Sequence, residues 1–199
     1  MKKIGLITLG LIACIALAGC SHKKTSLQIN PDTPLTKVGQ YHKADSENPK
    51  MTLLAIKKVN KTVKIKQVTF KLHTAKFIEM KANNNSQISD DKTNFGIDLP
   101  KTYYEYQIDY TIKNGSNYEI QNNGAELILP NGKQVSSNKG AMDSLIGETI
   151  QPHASKDGYI QARVSKNDEN KLTKFKFVSP ELFDNDLNIN ISHKTFSIN

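Results

Sequence analysis

"TYYEYQIDYTIKNGS", Thr102 to Ser116, decides the fold. In an extended chain, Tyr104, Tyr106, Ile108, Tyr110 and Ile112 fall on one side. Tyr103, Glu105, Gln107, Asp109, Thr111 and Lys113 fall on the other. Side chains alternate across a strand with period two, so the spacing predicts a half-buried strand with one apolar and one polar face. Asn114-Gly115 supplies the turn that ends it. Aromatic rings on one face could bind a sugar or a peptide. Ile108 and Ile112 share the face with the tyrosines, which favours a core. Tyr103, on the polar face, is the aromatic expected to be exposed.

The same alternation extends in both directions. Val63 and Ile65 alternate with Lys64 and Lys66, and Val68, Phe70 and Leu72 with Thr69 and Lys71. Near Thr74 the apolar phase shifts, with Ala75 and Phe77 taking over before Ile78 and Met80. A one-residue shift of this kind predicts a β-bulge. Downstream, "AELILPNGKQVSS" reads as a hairpin with Leu127 and Leu129 on one face and Asn131-Gly132 in the turn. Ile160, Ala162 and Val164, then Phe175 and Phe177, then Leu187, Ile189 and Ile191, continue the apolar faces, and Phe196 and Ile198 finish the chain. The expectation is an all-β domain of about eight or nine short strands, spaced as in a two-sheet sandwich. Helical hints are confined to Ala141–Ile146 and to "SPELF", where Ser179 could cap a turn and Pro180 begin it.

The tyrosine strand, the "LILPNGK" hairpin and "IQPHASKDGYI" together resemble the immunoglobulin-like domains of unknown function found in lipoproteins of low-GC Gram-positive bacteria. The resemblance covers about Lys61 to Val178. It implies an immunoglobulin-like two-sheet sandwich in an extracytoplasmic setting, and no enzymatic activity. The chain has no tryptophan and no cysteine after Cys20, and so lacks the core tryptophan and the disulfide of antibody-type domains.

The N-terminus supplies an address. Lys2 and Lys3 precede an uncharged run from Ile4 to Ala18, about the length of a signal-peptide apolar region and shorter than the roughly 20 residues that span a bilayer. The run ends in Leu17-Ala18-Gly19-Cys20, which resembles the lipobox of bacterial lipoproteins. That resemblance implies cleavage before Cys20 and a diacylglyceryl group on its thiol. Two acyl chains hold to a membrane far better than one, at about 0.8 kcal/mol per buried methylene. Cys14 leaves with the signal, so from residue 20 onward no intramolecular disulfide and no Cys-based zinc site can form. The expected organisation is a signal peptide over 1–19, a lipidated N-terminus and disordered tether over 20–50, and one domain over 51–199. The tether reading rests on Pro31, Pro34 and Pro49 and a scarcity of large apolar residues.

Removing residues 1–19 from the 199 leaves 180, and the formal charge falls from +8 to +6. All the basic residues are lysine except Arg163. Nucleic-acid binders use arginine for bidentate contacts, so this composition argues against a nucleic-acid partner. Lysine with abundant asparagine fits an AT-rich genome. Attraction to anionic lipid or wall polymer is the functional alternative. Lys64, Lys66, Lys174 and Lys176, with Lys71, sit at outward strand positions and form a candidate basic face if their strands share a sheet.

The search for chemistry finds little. His22, His42, His73, His153 and His193 are not spaced as metal ligands, and no G-x-S-x-G elbow, S-x-x-K motif or phosphate loop is present. "DNDLNIN" begins like a calcium loop at Asp184, but the positions that need Gly and Glu hold Ile189 and Thr195. No catalytic residue, metal or cofactor is implied. The expectation is therefore a monomeric, membrane-anchored binding or scaffolding module on the extracytoplasmic face. Its partner would be an anionic wall polymer or an envelope protein. The rivals are an envelope-polymer enzyme and a small-ligand carrier, either with a site drawn from distant loops.

Overall fold

A computed structural model describes residues 26–184 and 190–198. The lipobox at Cys20, the signal run and residues 185–189 of the failed calcium motif lie outside the described residues. The chain begins with β1 (Leu27–Gln28), β2 (Gln40–His42) and three long strands that dominate the fold. These are β3 (Lys50–Ile65), β4 (Val68–Lys81) and β5 (Thr102–Asn114), with helix α1 (Asn85–Phe95) between the last two. Six short strands follow: β6 (Ile120–Asn122), β7 (Glu126–Ile128), β8 (Gln134–Ser137), β9 (Gly140–Asp143), β10 (Thr149–Ile150) and the longer β11 (Ser155–Val164). A 3-10 helix (Lys166–Lys174) leads to β12 (Lys176–Val178), β13 (Leu182–Phe183), β14 (Asn190–Ile191) and β15 (Thr195–Ser197).

The protein is an all-β sandwich. One sheet runs β1-β2-β3-β4-β5-β11-β9-β8-β7-β12-β15 and folds over at β8; a second runs β10-β6-β13-β14. Phe70, Leu72, Tyr106, Ile108, Tyr110 and Ile112 on the long strands enclose one core with Leu127, Phe177, Ile120 and Leu182 from the opposing strands. Across it the Tyr106 ring stacks on Phe175 at 3.6 Å and the Tyr110 ring meets Phe177 at 5.2 Å. Tyr106 and Tyr110 are thus core residues, and each hydroxyl is satisfied, by the Leu172 carbonyl at 3.1 Å and Asp143 at 2.7 Å.

The bulge expected near Thr74 is present. The β4–β5 ladder slips between Leu72 and Thr74, leaving His73 as the extra residue. Beyond it Ala75 still faces the main core, while Ile78 and Met80 face a second cluster on the opposite side of the sheet. The hairpin is present too, with Leu127 opposite Val135 and Gly132 at φ 86°. Its loop is longer than two residues, because the Leu129 amide donates to the Lys133 carbonyl at 2.8 Å.

Three expectations need correction. The described part of the 20–50 tether is folded: β1 pairs in parallel with β2, β2 pairs with β3, and Leu35 is 4% exposed. Leu35 packs with Leu53, Ile78, Met80 and Tyr103, so one apolar residue pins a polar stretch to the sheet. The domain therefore starts well before Met51. Neither helical hint is a helix: residues 141–143 belong to β9 and run into a turn, and in "SPELF" an irregular stretch, 179–181, leads into β13. Asp143 ends β9 and accepts from the Leu145 amide, closing a turn, while the Ser179 amide donates to the Lys194 carbonyl and its hydroxyl oxygen accepts from the Lys194 amide instead of capping a helix. The helices lie elsewhere. Asn84 caps α1 by accepting from the Gln87 amide, Gly96 at φ 65° ends it, and only Gln87 and Phe95 of α1 are buried, too narrow an apolar stripe to read from spacing.

Candidate functional site

The polar face of the tyrosine strand is where chemistry collects. Its register with β4 and β11 places Ile78, Glu105 and Arg163 in one row, Lys76, Gln107 and Gln161 in the next, and Thr74, Asp109 and Tyr159 in a third. Thr111 and Asp157 continue it. A sandwich whose outer sheet face met water would leave these groups solvated. Here the segment around Leu35 and helix α1 cover part of that face, so Lys76, Glu105, Gln107 and Gln161 are buried. Tyr103 is 2% exposed rather than the exposed aromatic expected, because it lies under the same cover.

Two sites follow from that cover. The first is an open groove of about 420 Å³ between Pro34, Leu35, His42 and Met51 on one side and Lys76, Ile78, Gln107, Asp109, Asp157, Gly158 and Tyr159 on the other. Its polar floor is organised around Asp109. That carboxylate accepts from Lys76 at 2.7 Å, from the Gln107 amide at 2.5 Å and from the Thr74 hydroxyl. Gln161 donates to Gln107 at 3.0 Å, which fixes the amide's orientation. Nearby, His73 meets the Thr111 hydroxyl at 2.6 Å, and that hydroxyl donates to Asp157 at 2.5 Å. The Tyr159 ring stands at the rim, 37% exposed. Burial, then the Glu105 and Asp109 charges, raises its hydroxyl pKa. At Gly158 a Cβ would sit 2.4 Å from the Leu145 side chain, so only glycine fits that wall.

The second is a closed cluster of Glu105, Arg163, Asp91 and Tyr103. The Arg163 guanidinium lies 3.5 Å from the centre of the Tyr103 ring and 3.8 Å from Glu105. Tyr103 donates to Asp91 of α1. Glu105 Oε2 and Arg163 Nε and Nη1 are buried without hydrogen-bond partners. Burial raises the Glu105 carboxyl to about 8, against the pull of Arg163 and with help from Asp91. Burial raises Asp91 to about 6, opposed by Arg163. Burial lowers Arg163 to about 10, opposed by both acids. This cluster ties α1 to the sheet, with Glu105 2% exposed at its centre.

The residues singled out from sequence fall elsewhere. β3 and β12 belong to one hydrogen-bonded sheet, but it folds over between them, and their apolar sides meet across the core. Lys64 therefore leaves one layer and Lys176 the other, and the basic face expected of Lys64, Lys66, Lys174 and Lys176 is divided. Lys66 sits in the β3–β4 turn at φ 52° and donates to the Asn190 carbonyl at 2.8 Å. Lys174 ends the 3-10 helix. His42, His73, His153 and His193 each bond locally to a carbonyl or a polar side chain. Among the described residues, no three His, Cys, Asp or Glu side chains are grouped to hold a metal ion. The groove went unread because its walls come from segments far apart in sequence.

No protein-family model matches the chain, and no curated protein matches it. Two solved structures are similar in outline. A functionally unknown protein from Listeria monocytogenes EGD-e is 13% identical, with a TM-score of 0.48, covering 74% of this chain and 86% of that one. The yjhA protein from Bacillus subtilis is 16% identical, with a TM-score of 0.42, covering 61% of this chain and 80% of that one.

Proposed function

We propose that this protein is a lipid-anchored extracytoplasmic binding module, and that its ligand enters the groove floored by Lys76, Gln107 and Asp109. The observation that carries the reading is the groove itself: apolar walls of Leu35, Met51 and Ile78 around a small set of oriented polar groups. Binding sites for small molecules have this composition. The ligand it suits has an apolar body and one compact polar head, which would exchange hydrogen bonds with Lys76 and Gln107. Lys76 keeps two donors free after its bond to Asp109. The sandwich resembles an immunoglobulin-like domain, a frame that presents sites without supplying chemistry. Anchoring rests on Leu17-Ala18-Gly19-Cys20.

The test uses a photo-reactive phenylalanine analogue at Tyr159 in cells, with the same analogue at Tyr118 as a surface control. A discrete adduct from position 159, lost on Lys76→Met and absent at 118, supports the groove. Equal labelling at both positions, or none, overturns it. Separately, Cys20→Ala abolishes acylation by mass spectrometry and releases the protein from the membrane fraction. A Cys20→Ala protein that still carries lipid removes the anchor.

A further inference from the structure

We propose that the sheet edge nearest the anchor, carrying Leu27, Val38, Lys37 and Lys43, rests against anionic lipid head groups. This rests on Cys20 as the attachment point. Because the chain is already paired into the sheet at Leu27, only six peptide units separate Cys20 from Ser26. A chain of that length spans at most about 22 Å when fully extended. The folded edge therefore stays within that distance of the bilayer, whereas a tether reaching to Lys50 would have let the domain turn freely.

What that edge presents fits a membrane. Leu27 is 57% and Val38 43% exposed, and the Leu27 amide bonds to the carbonyl of Gly39, beside Val38, at 3.0 Å. Lys37 adjoins Val38, and Lys43 follows β2, both exposed. Residues 20–43 carry Lys23, Lys24, Lys37 and Lys43 against Asp32 alone. Anionic lipids attract lysines held within a Debye length, about 8 Å at physiological ionic strength, and short apolar side chains then enter the head-group region. The same segment supplies Pro34, Leu35 and His42 to the groove, so membrane contact and the groove share one element.

The chain has no tryptophan and, from residue 20 onward, no thiol but Cys20. Residues 20–199 include every described strand and helix. This chain, coupled through Cys20 to a maleimide lipid, is placed in phosphatidylcholine–phosphatidylglycerol vesicles with brominated acyl chains. Leu27→Trp and Val38→Trp should each show a blue shift and a loss of emission. Ile146→Trp, on a loop distant in sequence, should show neither. High salt, or Lys37→Gln with Lys43→Gln, should restore the emission. Positions 27 and 38 behaving like 146, or quenching as strong in pure phosphatidylcholine, overturns the proposal. Because the lipid is attached chemically, a failure of acylation in cells counts against the anchor alone.

Discussion

Replacing Glu105 with Gln should make the protein more stable at neutral pH, although it removes a carboxylate that lies beside the only arginine. Glu105 is fully buried and its Oε2 has no partner, so its ionised form is costly where it stands. Its carboxyl titrates at about 8 in the folded chain against an ordinary 4.5. Between those values the native state holds a proton that the unfolded chain has released, so stability falls as pH rises through the window. Below it both states are protonated, and above it both are ionised. At pH 7 the penalty corresponds to the interval from 4.5 to 7, about 3 kcal/mol at roughly 1.4 kcal/mol per pH step. Gln keeps the shape and a donor and does not ionise. Urea titrations of residues 20–199 from pH 4 to 9, followed by far-ultraviolet circular dichroism, should give curves that coincide near pH 4 and diverge to about 3 kcal/mol at pH 7. Asp91, raised to about 6, remains in the variant and leaves a smaller slope at lower pH. If Glu105→Gln is less stable than the parent at pH 7, the buried anion is a net favourable partner of Arg163 and the reasoning fails.

Two further substitutions probe how the sheet faces are covered. Gly96→Ala forces a left-handed φ of 65° on a side chain and places its Cβ 2.0 Å from the Asn138 carbonyl oxygen, so thermal unfolding should report a loss of at least about 2 kcal/mol. A neutral result means α1 does not seat against that loop. Asp143→Ala strips partners from the Tyr110 hydroxyl and from the Ala125 and Leu145 amides, and should cost about 3 kcal/mol or more in a urea titration. A cost below about 1 kcal/mol would show that water replaces the carboxylate.

Period two along Thr102–Asn114 and Val63–Leu72 was enough to determine strands and their core faces, the phase shift near Thr74 located the bulge, and Asn131-Gly132 marked the turn. Those features are local: the backbone alternates whatever it packs against, and a bulge is a change of phase within one strand. The sequence by itself also determined that no disulfide holds the domain, since Cys20 stands alone after residue 19. The tertiary structure decided everything that needs a second surface. Tyr103 and Glu105 look solvent-facing from one strand, and become buried only because α1 and the Leu35 segment lie over them. Lys64 and Lys176 look alike until the sheet folds over between β3 and β12 and sends them apart. The groove exists only where β4, β5 and β11 align Lys76, Gln107 and Tyr159 beneath residues 34–42. Burial and charge depend on what covers a face, and here the cover comes from segments too polar to carry an amphipathic signal of their own.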